Sequence, residues 1–479
     1  MIKSFLIYKK GEIDMINKKQ AIEVLNAGLA TGADYAEIYV EDVFSTGVAL
    51  DNGRVESASK NRSYGAGVRL LKGYQSVYGY TSIVTKESLL KIAQDLANSF
   101  SGERVLTIEK LKTKKAKNIH THEIPLSTVP FEHKINYLKR ADKVLSEYDP
   151  RIIRRQAAFS TTKKDIHIFS SKGYEYVDSK ERGRVAVMAL AFEDGKIETG
   201  FNGPGASAGF EWFLNEINIE EIAKNTAKDA ITMLGAKECP SGIMPVVIGN
   251  GFGGVIFHEA CGHSLEGTSV SKKLSVFSDS LGKQIASPIV TAIDDGTIPN
   301  GWGSNNIDDE GNPTEKTVLI KDGVCTSFLL DDFTGRRIGM KGNGACRRES
   351  YKYEPTSRMS NTYIAPGNST PEEIIASTKL GLYAASLGGG SVNPATGEFN
   401  FAANVAYIIR DGKICEPVRG ATLIGSGKDI LFNIDMVGND LKRAQGVCGS
   451  ASGGVPVDVG QPTIRVSQIA VGGNGGELK

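Results

Sequence analysis

Phe257-His258-Glu259-Ala260-Cys261-Gly262-His263 is the segment from which the rest of the chain is best read. It spells H-E-x-x-x-H, one residue longer than the zinc-peptidase pattern H-E-x-x-H. In that pattern two neutral imidazoles hold a divalent metal, and the carboxylate beside the first takes a proton from the activated water. On a regular α-helix, histidines four apart stand roughly 40° apart around the axis, whereas five apart they stand roughly 140° apart and cannot face one metal. The helix must therefore absorb one residue, most simply as a π-type turn. The spacing predicts a bulge or kink between His258 and His263, with Gly262 as the residue type that tolerates it. The competing reading is an ordinary helix that happens to carry two histidines. The chain has only 6 His, and two of them flank this Glu at near-ligand spacing.

Composition sets the frame. The 479 residues are 40% hydrophobic and 23% charged, with a net charge of +1. That is an ordinary globular balance, long enough for several domains. Near-neutral charge gives no reason to expect nucleic acid or an anionic membrane as partner. No apolar run approaches the ~20 residues of a membrane span, and the N-terminus lacks the pattern of a signal peptide. The 6 cysteines are scattered rather than framed as a disulfide set, which points to a cytoplasmic protein with reduced thiols.

Residues 1–17 read as a disordered or upstream-start segment, with a second Met at Met15. From Lys18 a helical pattern is followed by strand-like alternation. Asn52-Gly53 marks a hairpin turn, and Thr85 opens a second helix. The basic run at 110–118 reads as a solvated loop. Pro130 starts another helix, more strands follow, and an amphipathic helix closes near Ala236. The fold class expected is α+β in two domains. An N-terminal α+β domain covers 18–236, and 237–242 is a linker. A β-rich C-terminal domain over 237–479 carries the distorted motif helix and ends in a flexible GGNGGELK tail.

Gly249, Gly251 and Gly254 satisfy the dinucleotide pattern G-x-G-x-x-G just before the motif. No clean second strand ending in an acidic residue follows, as a Rossmann unit requires. These glycines read better as a tight strand-to-helix turn, and a nucleotide-binding oxidoreductase is the minor alternative. A catalytic metal needs a third protein ligand. The remaining histidines all lie in the first domain, so Cys448, Cys346, Cys325, Glu266 or a nearby Asp are the candidates. Arg347, Arg348 and Arg358 could hold a peptide carboxylate or carbonyls. Equally, they could form a salt-bridged turn with Glu349 and Glu354.

GNGFGGVIFHEACGHSLEG, GNGACRRESYKYEPTSRMSNTYIAPG and VCGSASGGVPVDVGQPTIRVSQIAVGG resemble segments of the TldD branch of the TldD/PmbA ("modulator of gyrase") metalloproteases. ADYAEIYVED and GAGVRLLKGYQSVYGYTS extend the resemblance through the first domain. It implies a zinc-dependent peptidase, with Zn2+ held by His258, His263 and Cys448 and with Glu259 as general base. It also implies unfolded or short peptides as substrate, and a TldE/PmbA-like subunit as partner in a heterodimer, or else a homodimer. The alternative is a non-catalytic scaffold or regulatory subunit with a structural zinc.

Overall fold

Asn52 and Gly53 both adopt positive φ, 47° and 75°, the geometry a two-residue hairpin turn requires. They join strands Tyr35–Asp51 and Arg54–Lys72, which pair antiparallel along almost their whole length. This computed structural model describes residues 16–393 and 396–478. Of the tail expected over 1–17, residues 1–15 lie outside the described residues. Ile16 is buried, and Asn17 caps helix Lys18–Gly28 through a reciprocal capping box with Gln20.

Among the described residues, the first sheet runs Gln75–Thr81, Arg54–Lys72, Tyr35–Asp51, Ile152–Ser170, Tyr174–Glu193, Lys112–Lys115. Alternation along Tyr35–Asp51 sorts side chains between two faces. Ala36, Ile38 and Val40 pack under helices Lys18–Gly28 and Lys86–Ala97. Val48 and Leu50, farther along the same face, pack under Phe131–Tyr148 and Ile219–Leu234. Two helix pairs thus share one continuous sheet. Glu37, Tyr39 and Glu41 point the other way, toward the second half of the chain. There Glu37 accepts from Arg348 at 2.5 Å and Glu41 from the Tyr351 amide at 3.0 Å.

The second half holds two further large sheets. One runs Leu380–Val392, Gly242–Ile248, Ile464–Gly472, Thr422–Ser426, Glu398–Arg410, and Leu380–Val392 pairs again with Glu398–Arg410, so the sheet closes on itself. The pattern EFNFAANV explains how one strand serves it. Phe399, Phe401, Ala403 and Val405 turn inward, and Glu398, Asn400, Ala402 and Asn404 turn out. The other sheet ends in Asn361–Ile364, Gly453–Gln461 and, at its edge, Lys442–Ser450. The H-E-x-x-x-H segment lies between these two sheets. The chain is thus mixed α/β and multi-domain. Among the described residues, no helix is long and apolar enough to cross a membrane.

Three local expectations are corrected. Lys112–Lys115, read as loop, is an exposed edge strand parallel to Tyr174–Val177. Its backbone finds a ladder while its lysines stay in water. Lys237–Glu238, read as linker, pairs with Val418–Arg419. The glycine-rich C-terminal segment is tied down rather than free. Gly475 donates to the Cys239 carbonyl and Ser241 to that of Gly476, each at 2.8 Å, and Leu478 packs on the core.

Candidate metal centre

Strand Gly242–Ile248 delivers the chain to the site through Gly251–Gly254, a tight turn of 3-10 type, and Val255–Phe257 continues as α-helix. The glycines here make room for backbone. A Cβ on Gly249 would sit 2.5 Å from the Ala385 carbonyl oxygen, and one on Gly254 would sit 2.4 Å from that of Gly460. The turn is thereby pressed onto strands of both sheets. His258–Gly262 then winds as a π turn, and the His263 amide donates to the His258 carbonyl five residues back. The wider turn brings the two imidazoles to the same side, with ring centroids 5.2 Å apart and planes at 80°. Gly262 has φ of −58°, which any residue adopts. The expectation that glycine eases the distortion therefore gives way to a packing reason: a Cβ there would lie 2.2 Å from the Met359 sulfur.

Cys448 arrives from the edge strand Lys442–Ser450, paired with Val455. Its Sγ lies 3.1 Å from His263 Nε2. Ligand atoms of His258, His263 and Cys448 all fall within 4.8 Å of one another. Cys448 is 4% and His258 1% exposed, so this is a desolvated donor set. Glu259 sits at its wetter side, with Oε2 3.6 Å from His263 Nε2 and its side chain 27% exposed.

The electrostatics fit a cation. Burial alone would raise the Cys448 thiol, but His258 and His263 pull it down to about 4, so it stands as thiolate. Burial opposes a charge on His263, yet Glu266 and Cys448 hold its pKa well above the ordinary value. Both ring nitrogens of His258 are buried with no hydrogen-bond partner. A buried imidazole left so costs free energy that a metal would recover. Two imidazoles and a thiolate match zinc by donor type.

The other candidates take different duties. Glu266 is no ligand of this group. Its Oε2 accepts from His263 Nδ1 at 3.1 Å, which leaves Nε2 to face Cys448. Cys325 and Cys346 are buried thiols whose pKa burial raises, and among the described residues neither joins the ligating group. The salt-bridged turn of Arg347, Arg348 and Arg358 with Glu349 and Glu354 is corrected. Arg347 donates to the carbonyls of Met359 (2.6 Å) and Pro456 (2.7 Å), and Arg348 is buried against Glu37. Arg358 donates to the Cys448 carbonyl at 2.5 Å and to that of Gly453 at 2.9 Å. Its Nε stands 3.8 Å from Glu266. Arg358 thus touches both arms of the site, a role with no local signature, because its partners are 90 or more residues away in sequence.

The fold and the clustered H-E-x-x-x-H and cysteine side chains define a metallopeptidase-type architecture. Sequence models of the PmbA/TldA metallopeptidase match the chain three times: domain 1 over 36–99, the central domain over 124–234 and the C-terminal domain over 241–473. The chain belongs to the PmbA/TldD metallopeptidase family. The Metalloprotease TldD homolog of Haemophilus influenzae is 36% identical over 452 residues, covering 92% of this chain and 93% of the relative. That of Buchnera aphidicola subsp. Schizaphis graminum is 34% identical over 468 residues, covering 96% and 97%. The crystal structure of TldE from Thermococcus kodakarensis superposes with a TM-score of 0.76 at 18% identity, over 94% of this chain and 99% of that one. The first two family domains divide what is here a single sheet.

Proposed function

We propose that the chain is a zinc-dependent peptidase that hydrolyses unfolded or short peptides. The convergence of His258, His263 and Cys448, with both His258 nitrogens otherwise unpartnered, carries this reading. Those three side chains would hold Zn2+, which supplies a Lewis acid that lowers the pKa of water and polarises a carbonyl. Glu259 accepts the proton of the attacking water and returns it to the leaving amine. Cys448 contributes a negative charge that softens the metal's Lewis acidity relative to an all-histidine site. Turnover then leans on confinement of the substrate.

A closed structural zinc, the scaffold alternative, needs four protein ligands. Among the described residues the group has three, and Glu266 is spent on His263 Nδ1. The likeness to a TldE supports pairing with a TldE/PmbA-like subunit, with a homodimer as the other arrangement. We place the protein in the cytoplasm on its unpaired thiols.

The test is metal content and peptide hydrolysis of wild type, Glu259→Gln and Cys448→Ser, with and without such a subunit. Glu259→Gln should keep its zinc and lose about 10²–10⁴-fold in rate, while Cys448→Ser should lose the metal. Hydrolysis that survives exhaustive chelation would defeat the proposal.

A further inference from the structure

A cavity of about 540 Å³ lies where the first sheet faces the second half of the chain. Its wall includes Val455, the residue paired with Cys448. Arg347, also in the wall, is held between the Pro456 carbonyl on that hairpin and the carbonyl of Met359, whose sulfur packs on Gly262 of the π turn. His258, Glu259, His263 and Cys448 do not line the cavity; Val455, which pairs with Cys448, joins its wall to the strand that carries the thiolate.

The lining is lopsided in charge. It carries six cationic side chains against three carboxylates. The carboxylates are already engaged. Glu41 pairs with Lys164 at 2.9 Å, Asp309 pairs with Lys180 at 3.4 Å and accepts from the Arg348 amide, and Glu349 accepts from the Gly454 amide at 2.6 Å. Among the described residues, Arg182, Arg347 and Lys352 have no carboxylate within ion-pairing distance. Arg182 spends Nε and Nη2 on the Trp302 and Ser304 carbonyls and the Asn305 side chain. Its Nη1 has no partner among these bonds. Arg347 is only 5% exposed. Burial, and then the neighbouring charge of Arg182, disfavour its cationic form. Asp309 and Asp294 favour the charge on Arg347, and Asp309, Asp178 and Asp458 that on the part-buried Arg182, but none of them reaches ion-pairing distance of either guanidinium, so the cationic excess of the wall can take an anion from outside.

We propose that this cavity binds a carboxylate of the peptide substrate, either its free C-terminus or an Asp/Glu side chain near the scissile bond, through Arg182 and Arg347 with Lys352 at the rim. This deepens the peptidase reading by naming a substrate class: peptides that present an anion beside the site. Arginine suits it, since its fork matches a carboxylate and stays charged.

The test uses binding, not turnover. Zinc-loaded Glu259→Gln protein is titrated with four fluorescent peptides of one sequence: free acid or C-terminal amide, each with Glu or Gln at one internal position. Loss of the anchoring carboxylate should raise Kd about tenfold, and which change does so identifies the source. In the same background, Arg182→Gln and Arg347→Lys should erase the difference while zinc content holds. Arg182 also supports the backbone at Trp302, so Lys352→Gln, an exposed residue, serves as a second variant and should shrink the difference about threefold. Four equal Kd values, or a difference untouched by these variants, would overturn the proposal. Acid preference in binding with no cleavage by the wild type would instead count against the peptidase reading alone.

Discussion

Glu266 divides its two oxygens between different tasks. One accepts from His263 Nδ1 and the other faces the Arg358 guanidinium. The hydrogen bond fixes which imidazole nitrogen is presented to Cys448, and the charge raises the basicity of that ring. Glu266→Gln keeps the shape and removes the charge. Metal affinity, measured by competition with a chelating dye, should fall about 10–100-fold. An unchanged affinity would reduce Glu266 to a packing residue. Arg358 works from the opposite side through backbone, fastening the strand that carries Cys448.

At the scale of single elements, the π turn shows what one inserted residue does to a helix. It moves His263 from the far side of the axis to a ring centroid 5.2 Å from His258. Helix Phe131–Tyr148 carries a different anomaly. Lys134 on its buried face is 1% exposed, and its Nζ donates to Thr46 Oγ1 at 2.9 Å. Burial pushes its pKa down to about 8, with Glu181 opposing and Lys60 reinforcing the shift. In the unfolded chain a lysine titrates near about 10.4. Between these values the unfolded state binds more protons, so this residue's contribution to stability rises with pH across that window. Its cost is fully present below the folded value. Lys134→Met should therefore stabilise by about 1–3 kcal/mol at pH 7, and the gain should shrink by pH 10. Thr46 would retain Thr161 as partner. Urea midpoints at the two pH values decide the matter, and an equal gain at both would refute the titration argument.

Across the whole molecule, the far face of the first sheet is bound to the second half of the chain by buried ion pairs. Arg348–Glu37 (2.5 Å) and Arg69–Glu310 (2.7 Å) have all four side chains at most 1% exposed. Such pairs add little net stability when intact, but removing one member strands the other. Glu37→Gln should thus cost about 3 kcal/mol or more, seen as an earlier first transition in a thermal melt. A melt identical to wild type would mean that these pairs do not hold the halves together. Arg184 and Trp302 reach the same edge strand that carries Cys448, donating to the Gln445 and Gly446 carbonyls. Loosening the halves should therefore also disturb the thiolate arm.

Local chemistry sufficed for much of this. Asn52-Gly53, the Thr85 cap and the alternation of the long strands are written in neighbouring residues, since turns, caps and pleats involve partners a few positions away. The H-E-x-x-x-H spacing itself called for a widened turn. What lay beyond the sequence depends on partners far along the chain. Gly262 answers to Met359, Cys448 meets His263 across 185 positions, and Arg358 and Glu266 tie the two arms together. The linker and tail became paired segments for the same reason: a glycine-rich or polar stretch is stabilised by whatever backbone the tertiary fold sets beside it. No pattern of adjacent residues encodes that neighbour.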